Sequence, residues 1–126
     1  MPLHWTINAD EQRVDIVAEG DVTLADAMAF FEAIEKANAL PYHKLLDGSH
    51  GRAAMNPEEL MEAAVRIRQQ HGMSAVGALA VVATREQALK AARLLGAAAV
   101  PDRPIKVFDN LRPARRWLAG VAAPIS

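Results

Sequence analysis

The stretch of this sequence most suggestive of chemistry is Asp47-Gly48-Ser49-His50-Gly51-Arg52, which brings a carboxylate, a hydroxyl, an imidazole and a guanidinium close together. A serine between glycines is accessible to a kinase, and Arg52 could pair with an added phosphate. The same side-chain types serve nucleophilic hydrolysis, although no Gly-x-Ser-x-Gly elbow is present. Successive backbone amides together with Arg52 could instead hold a small anion. Phosphorylation of Ser49, anion binding, weak hydrolysis and a plain flexible turn all remain open at this point.

The sequence gives little support for a metal site or for thiol chemistry. The four histidines, at positions 4, 43, 50 and 71, have no close paired spacing. The chain has no cysteine, which excludes disulfides, thiol catalysis and thiolate ligands. The run Gly-x-x-Gly-Arg lacks the Gly-Lys-Ser/Thr ending of a phosphate-binding P-loop. We therefore expect no catalytic residue, no metal and no cofactor.

Length and composition indicate one globular domain spanning residues 1–126. Hydrophobic residues make up 52% of the chain, which is ample for a packed core. The amino terminus lacks a signal-peptide pattern, and the longest apolar run, Ala75–Ala83, is too short to cross a bilayer. No long basic run indicates nucleic-acid binding. Together with the lack of cysteine, these features lead us to expect a cytoplasmic protein without a transmembrane segment.

The charge is distributed unevenly along the chain. Residues 1–63 contain four basic and twelve acidic side chains, a net charge of −8, and residues 64–126 contain ten basic and three acidic ones, a net charge of +7. The sum is the overall −1. This asymmetry follows either from chance and helix preferences or from a dipolar surface that orients a partner or a second copy.

Hydrophobic periodicity predicts the elements that position the Asp47–Arg52 stretch. Leu3–Asn8 and the alternating residues that begin at Arg13 predict an antiparallel hairpin, which we expect to end at Gly20-Asp21. Helical spacing follows over residues 24–38, behind a capping box at its start. Lys44–Asp47 then predicts a short strand with an apolar centre.

The segment after Asp47 is expected to be an extended loop, because a strong helix start comes only at Asn56-Pro57. Gly72 stands where a left-handed cap would end that helix. The continuous apolar run Ala75–Ala83 is typical of a central strand covered on both faces.

The remaining chain repeats the alternation of helix and strand. Thr84 and Gln87 predict another capped helix, Ile105–Phe108 a last strand, and Asn110 the cap of a final helix. The order is ββαβαβαβα. It predicts an α/β fold with a five-stranded mixed sheet, whose first strand is antiparallel and whose helices cross over the sheet.

A second group of candidates is apolar. Residues on the first two long helices and the segment between them widen the hydrophobic faces beyond what one core stripe needs, namely Leu24, Met28, Phe30, Phe31, Met55, Leu60 and Met61. Phe30 and Phe31 are adjacent and point about 100° apart on a helix. We single out Phe30, Phe31, Met55 and Met61 as a face for a ligand or a partner, with a purely core role as the alternative.

The order of elements, together with particular residues, resembles the SpoIIAA-like branch of the STAS fold, small relatives of anti-sigma-factor antagonists and of Sec14-type lipid-binding domains. The matching pieces are Ala18–Thr23, Lys44–Asp47, Leu79–Ala83, Val107–Asp109, Ala114 and Trp117-Leu118. In the anti-sigma-factor antagonists, a serine after the matching strand is phosphorylated at the start of a helix. Asp47 and Ser49 fall at comparable places here, although the helix starts only near Asn56.

The resemblance implies a non-enzymatic regulatory module that acts through protein contacts, with a protein partner or a homodimer. A small-ligand or lipid-binding domain of the same fold, with an apolar molecule or an anion as its ligand, is the alternative, and a weak hydrolase is the third. Ser49, Asp47 and Arg52 are the candidate phosphoacceptor or loop-contact residues.

Overall fold

The structure, a computed structural model, describes residues 2–98 and 103–121. It contains five strands and four helices in the predicted order. They are β1 (Leu3–Asn8), β2 (Arg13–Val22), α1 (Leu24–Lys36), β3 (His43–Ala53), α2 (Pro57–Met73), β4 (Leu79–Val82), α3 (Arg85–Ala98), β5 (Ile105–Phe108) and α4 (Leu111–Ala119).

The five strands form one mixed sheet in the order β1-β2-β3-β4-β5. β1 is antiparallel to β2, and every other neighbouring pair is parallel. Right-handed crossovers in one direction across the sheet place successive helices on the same face, so α2 packs between α1 and α3. α4 contacts β3, β4 and β5 from the opposite face. The predicted α/β fold is confirmed.

Each face of the sheet has its own core. Val14, Ile16 and Ala18 point from β2 towards Ile34 of α1. Leu45 packs on the other face with Ala80, Val82 and the α4 residues Ala114 and Leu118. Because side chains alternate along a strand, Leu45 and Leu46 of β3 belong to different faces.

The prediction of a loop after Asp47 is wrong, because β3 continues to Ala53. β2 also continues to Val22 and does not end at Gly20-Asp21, since Gly20 extends the strand with a φ of +73°. The register shifts between Val17 and Glu19, where β3 has one extra residue, and pairing then resumes with Glu19 opposite His50. A neighbouring strand supplies the hydrogen bonds that keep a glycine-rich segment extended across a β-bulge.

Two further boundaries differ from the prediction. Gly72 lies inside α2, whose C-cap is Ser74, so no left-handed glycine ends this helix. β4 is limited to Leu79–Val82, where its neighbours β3 and β5 pair with it. The helix starts are as predicted: Thr23 with Asp26, and Asn56 with Glu59, form reciprocal capping boxes. Over residues 2–98 and 103–121, the helices are either too short or too polar to cross a membrane.

Candidate functional site

A cavity of about 500 Å³ lies between the sheet and helices α1, α2 and α3. Its walls are mostly apolar side chains from the strands and the first two helices, among them Ile16, Leu46, Val81, Phe30, Leu60 and Ile67. A volume of this size is within the range of pockets that hold small molecules.

The central strands show directly that one face is incompletely filled. Leu45 is only 3% exposed, whereas Leu46, the next residue of β3, is half-buried and lines the cavity. In β4, Ala80 is fully buried against the α4 side, whereas on the cavity side Leu79 is half-buried and Val81 is 4% exposed. Leucines of a sheet that is covered by helices on both faces are normally buried, so the described side chains leave an apolar space above Leu46 and Leu79.

Aromatic residues form one wall of the cavity. Phe30 and Phe31 of α1 both line it, with ring centroids 6.0 Å apart. Trp5 of β1 supports Phe30 from behind at 5.4 Å in an edge-to-face arrangement. Met55, between β3 and α2, also lines the cavity. Three of the four apolar residues singled out from the sequence are therefore brought to one site.

The fourth of these residues lies elsewhere. Met61 is 53% exposed and lines a shallow outer groove between α1 and α2, beside Met28 and Val65. The groove is bordered by Glu58, Glu62, Arg66 and Gln69. The sequence indicated only that the adjacent Leu60 and Met61 widen the apolar face of α2, and the structure places Leu60 in the cavity and Met61 in the outer groove.

Two cations lie at the amino-terminal end of the parallel strands, at one end of the cavity. Lys44, at the start of β3, is 4% exposed and pairs across the sheet with Leu79, whose N–H donates to the carbonyl of Pro104. Arg103 immediately precedes that proline, and both Lys44 and Arg103 line the cavity. The backbone register therefore places Lys44 and Arg103 at the same end of the sheet, on either side of β4.

The lysine and the arginine are held by carbonyl oxygens. Lys44 Nζ donates to the carbonyls of Ala39, Leu40 and Tyr42 at 3.2, 2.8 and 2.8 Å. Arg103 Nε donates to the carbonyl of Gly77 at 2.8 Å. Neither cation forms an ion pair with an acidic side chain of the described residues.

Burial makes both positive charges costly. Burial lowers the pKa of Lys44 to about 7, with a further lowering from the nearby Arg103. Burial also lowers the pKa of Arg103 to about 10. The three carbonyl acceptors around Lys44 match the three N–H donors of an ammonium group and oppose this shift. The cavity thus contains a site of concentrated positive potential at one end.

An ion pair connects α1 and α2, two of the helices that cover the cavity. Arg66 of α2 donates from Nε and Nη2 to the two carboxylate oxygens of Glu35 on α1, both at 2.8 Å. Gln70, which is buried and lines the cavity, donates to the same carboxylate at 3.0 Å. The hydrogen bonds from Arg66 hold the pKa of Glu35 below its usual value. This network connects the helices and keeps Gln70 satisfied.

The opposite end of the cavity reaches the surface near the carboxyl ends of the strands. Arg52, Glu86 and Lys90 line it there, and all three are exposed. Gln87 of α3 donates from Nε2 to the carbonyl of Gly51, while its Oε1 accepts from the N–H of Thr84 in the predicted cap. Gln87 therefore closes the edge of β3 that extends beyond β4.

The serine singled out from the sequence lies in the bulged part of β3 and is half-buried. Ser49 Oγ donates to Asp47 Oδ1 at 2.7 Å and is 3.1 Å from His50 Nδ1. The structure therefore brings Asp47, Ser49 and His50 together, but in an order unlike a Ser-His-Asp triad. Ser49 lies between the carboxylate and the imidazole, so the Asp47 carboxylate accepts a hydrogen bond from the Ser49 hydroxyl and does not orient His50.

The partner expected for a phosphate on Ser49 is occupied. Arg52 Nη2 is 2.6 Å from Asp21 Oδ1, and both side chains are largely exposed. A phosphate on Ser49 would also lie beside the Asp47 carboxylate, which would repel it. Phosphorylation of Ser49 stays a prediction, and it would require Arg52 to exchange Asp21 for the phosphate.

His43 has a structural role at the other end of β3. Its Nδ1 accepts from the N–H of Ala78 at 3.1 Å, so its Nε2 carries the proton and donates to the carbonyl of Val121 at 3.1 Å. Across residues 2–98 and 103–121, no three histidine or acidic side chains gather in a way that could hold a metal ion.

Comparison with known proteins places the chain in a family. The family model described as SpoIIAA-like matches residues 13–119. The chain belongs to the SpoIIAA-like family. The structure is similar to the crystal structure of an uncharacterized protein of the DUF3478 family with a SpoIIAA-like fold from Shewanella loihica PV-4. The two chains are 19% identical, the match covers 92% of this chain and 93% of the other, and the TM-score is 0.64, a likeness of fold alone. Curated proteins contain no significant match.

Sequence reasoning missed the two cations that line the cavity of this SpoIIAA-like domain, the buried Lys44 and the half-buried Arg103. The sequence pattern predicts Lys44 only as the first residue of a strand. Its position two residues before Leu46 was an available signal, because side chains at i and i+2 share a face of the sheet. Arg103 had no such signal, since its place depends on how β5 pairs with β4.

Proposed function

We propose that this SpoIIAA-like domain binds a small, largely apolar molecule in the cavity between the sheet and helices α1 to α3, and that it acts by binding and not by catalysis. The observation that carries the proposal is the half-burial of Leu46 in the central strand β3 and of Leu79 at the start of β4, both on the cavity side of the sheet. A packed core would cover them, and an apolar ligand would do the same.

The position of the cavity supports the proposal. It lies between the sheet and helices α1 to α3, it opens near Arg52 and Lys90, and most of its described lining is apolar. Apolar walls with a few placed polar groups are characteristic of small-molecule sites. Ligand binding is for this reason better supported than the protein-contact role expected first from the sequence.

The experiment is to look for the ligand directly. The protein purified from its native host, analysed by native mass spectrometry, should carry additional mass that disappears on denaturation. After removal of that molecule, the neutral probe Nile red should bind with increased fluorescence. A bare chain mass together with no Nile red binding would overturn the proposal.

Self-association is a second candidate, favoured by the outer groove between α1 and α2. Met61 and Val65 are both exposed there and are adjacent to Met28, which gives an apolar strip on an otherwise charged helical surface. A second copy of the chain could cover this strip in a homodimer.

The matched test uses two exposed methionines of the same helix. Met61 lies in the groove, whereas Met73, 60% exposed, is at the far end of α2. If the groove forms a dimer, Met61→Glu should shift the mass measured by light scattering towards the monomer, and Met73→Glu should leave it unchanged. A monomeric wild-type protein at high concentration would exclude this candidate.

A further inference from the structure

The cavity carries an imbalance of charge that apolar ligand binding alone does not explain. Its described lining includes four cations, Lys44, Arg52, Lys90 and Arg103, and one carboxylate, Glu86, a net charge of +3. Arg52 is paired with Asp21, and Lys90 is exposed at the mouth. The unbalanced charge inside the cavity therefore comes from Lys44 and Arg103.

These two residues differ in what they can still bind. All three N–H groups of the Lys44 ammonium are used by the carbonyls of Ala39, Leu40 and Tyr42. Arg103 uses Nε for the carbonyl of Gly77, and its two Nη groups donate to no described residue. Arg103 can thus offer directed hydrogen bonds to a ligand, while Lys44 contributes charge through space.

The buried Lys44 and the half-buried Arg103 repel each other, and no acidic side chain of the described residues forms an ion pair with either of them. A negatively charged group placed against Arg103 would remove this repulsion and satisfy the Nη donors. Only Arg103 can donate hydrogen bonds to the ligand, and Lys44 adds a positive charge nearby, so the site suits a group with a single negative charge. The planar guanidinium of arginine matches the geometry of a carboxylate.

We infer that the ligand of this cavity is an aliphatic carboxylate, whose headgroup is bound by Arg103 beside Lys44 and whose tail lies beneath α1 and α2 towards Met55. This inference rests on the proposed function, because it names the chemical class of the molecule that the cavity holds. The tail would cover first Leu79, which is level with Lys44 at the cationic end, and then Leu46, which is two residues further along β3 towards the mouth.

The test compares headgroups on one tail. Dodecanoate, dodecanol and dodecyl phosphate, each below its critical micelle concentration, are titrated into ligand-free protein by calorimetry. Dodecanoate should bind at least about tenfold more tightly than dodecanol, because hydrogen bonds to charged groups contribute about 1.5–3 kcal/mol. Arg103→Gln should weaken dodecanoate binding by about tenfold or more and leave dodecanol binding unchanged.

Two further variants separate a directed contact from general electrostatics. Lys90→Gln removes a cation from the mouth of the same cavity and should have less than a threefold effect on dodecanoate. Arg103→Lys keeps the charge and should recover part of the affinity, which also guards against loss of folding in Arg103→Gln.

Several results would overturn the inference. Equal affinity for dodecanol and dodecanoate, or an equal loss of both in Arg103→Gln, would exclude an anionic headgroup while the proposed function stands. Tighter binding of dodecyl phosphate than of dodecanoate would overturn the carboxylate assignment. No binding of any of the three, together with no binding of Nile red, would overturn the proposed function and this inference with it.

Discussion

Adjacent leucines in β3 allow the unfilled side of the sheet to be tested against the filled side. Leu45 is 3% exposed and packs against Ala80 and Ala114, both fully buried. Leu46 is half-buried and faces the cavity. We consider the same enlargement at both positions, Leu45→Phe and Leu46→Phe.

The two substitutions should change the free energy of unfolding in opposite directions. At Leu45 there is no space for a larger ring, so overpacking should cost about 1–3 kcal/mol. At Leu46 the ring enters a cavity of about 500 Å³. It adds about three carbon atoms, and at roughly 0.8 kcal/mol per buried CH₂, with half of the added surface buried, the gain is about 1 kcal/mol. The two variants should therefore differ by about 2–4 kcal/mol.

Urea unfolding of the ligand-free proteins measures this difference, and Nile red titration measures the cavity itself. Leu46→Phe should keep or raise the unfolding free energy and should weaken Nile red binding by about tenfold. Leu45→Phe should be destabilised and should keep its affinity for the probe. If Leu46→Phe lost as much stability as Leu45→Phe, the helical face would be packed as tightly as the α4 face, and the reasoning from half-burial would be wrong.

Three further predictions concern charge, backbone space and modification. Because burial lowers the pKa of Lys44 in the folded state from 10.5 to about 7, the unfolded chain binds the extra proton. The unfolding free energy should therefore rise between about pH 7 and 10, by at most about 1.4 kcal/mol per pH unit. Urea titrations should show this slope in the wild type and not in Lys44→Met, and a flat wild-type profile would contradict the lowered pKa of Lys44. Gly51→Ala should destabilise by about 2 kcal/mol or more in thermal denaturation, since its Cβ would lie 2.5 Å from Ala18 Cβ. Gly72→Ala, in open space on α2, should stabilise by up to about 1 kcal/mol, and equal effects at the two glycines would refute the steric argument. If the domain is regulated by phosphorylation of Ser49, phosphopeptide mass spectrometry on protein from the native host should find phosphate on this residue. An unmodified peptide would count against this hypothesis.

The elements that could be read from the sequence are those specified by near neighbours. The capping boxes of α1 and α2 were predictable because Thr23 with Asp26, and Asn56 with Glu59, need only residues three apart. Alternation around Val14 and Ile16 likewise identified β2. The parallel crossovers followed from the order of these elements, because helices between apolar strands leave few topologies.

The continuation of β3 was beyond local reasoning. Gly48, Ser49 and Gly51 have the composition of a turn, and an isolated peptide of that sequence has no partner that would keep it extended. β2 supplies that partner from Glu19 to Val22, and Gln87 of α3 binds the free edge at Gly51. A distant strand and a distant helix therefore decide the conformation of the candidate phosphoacceptor.

Local patterns in the chain determine which residues are apolar, where the helices start and in what order the elements follow, because those properties depend on contacts within a few positions. The sequence could thus nominate Phe30, Phe31 and Met55, but it could not show that they surround unfilled space. Only the assembled sheet and helices establish that space, because a cavity is the difference between the volume that several elements enclose and the volume that their side chains fill. The same holds for Lys44 and Arg103, 59 positions apart in the chain, which become neighbours only through the pairing of β3, β4 and β5.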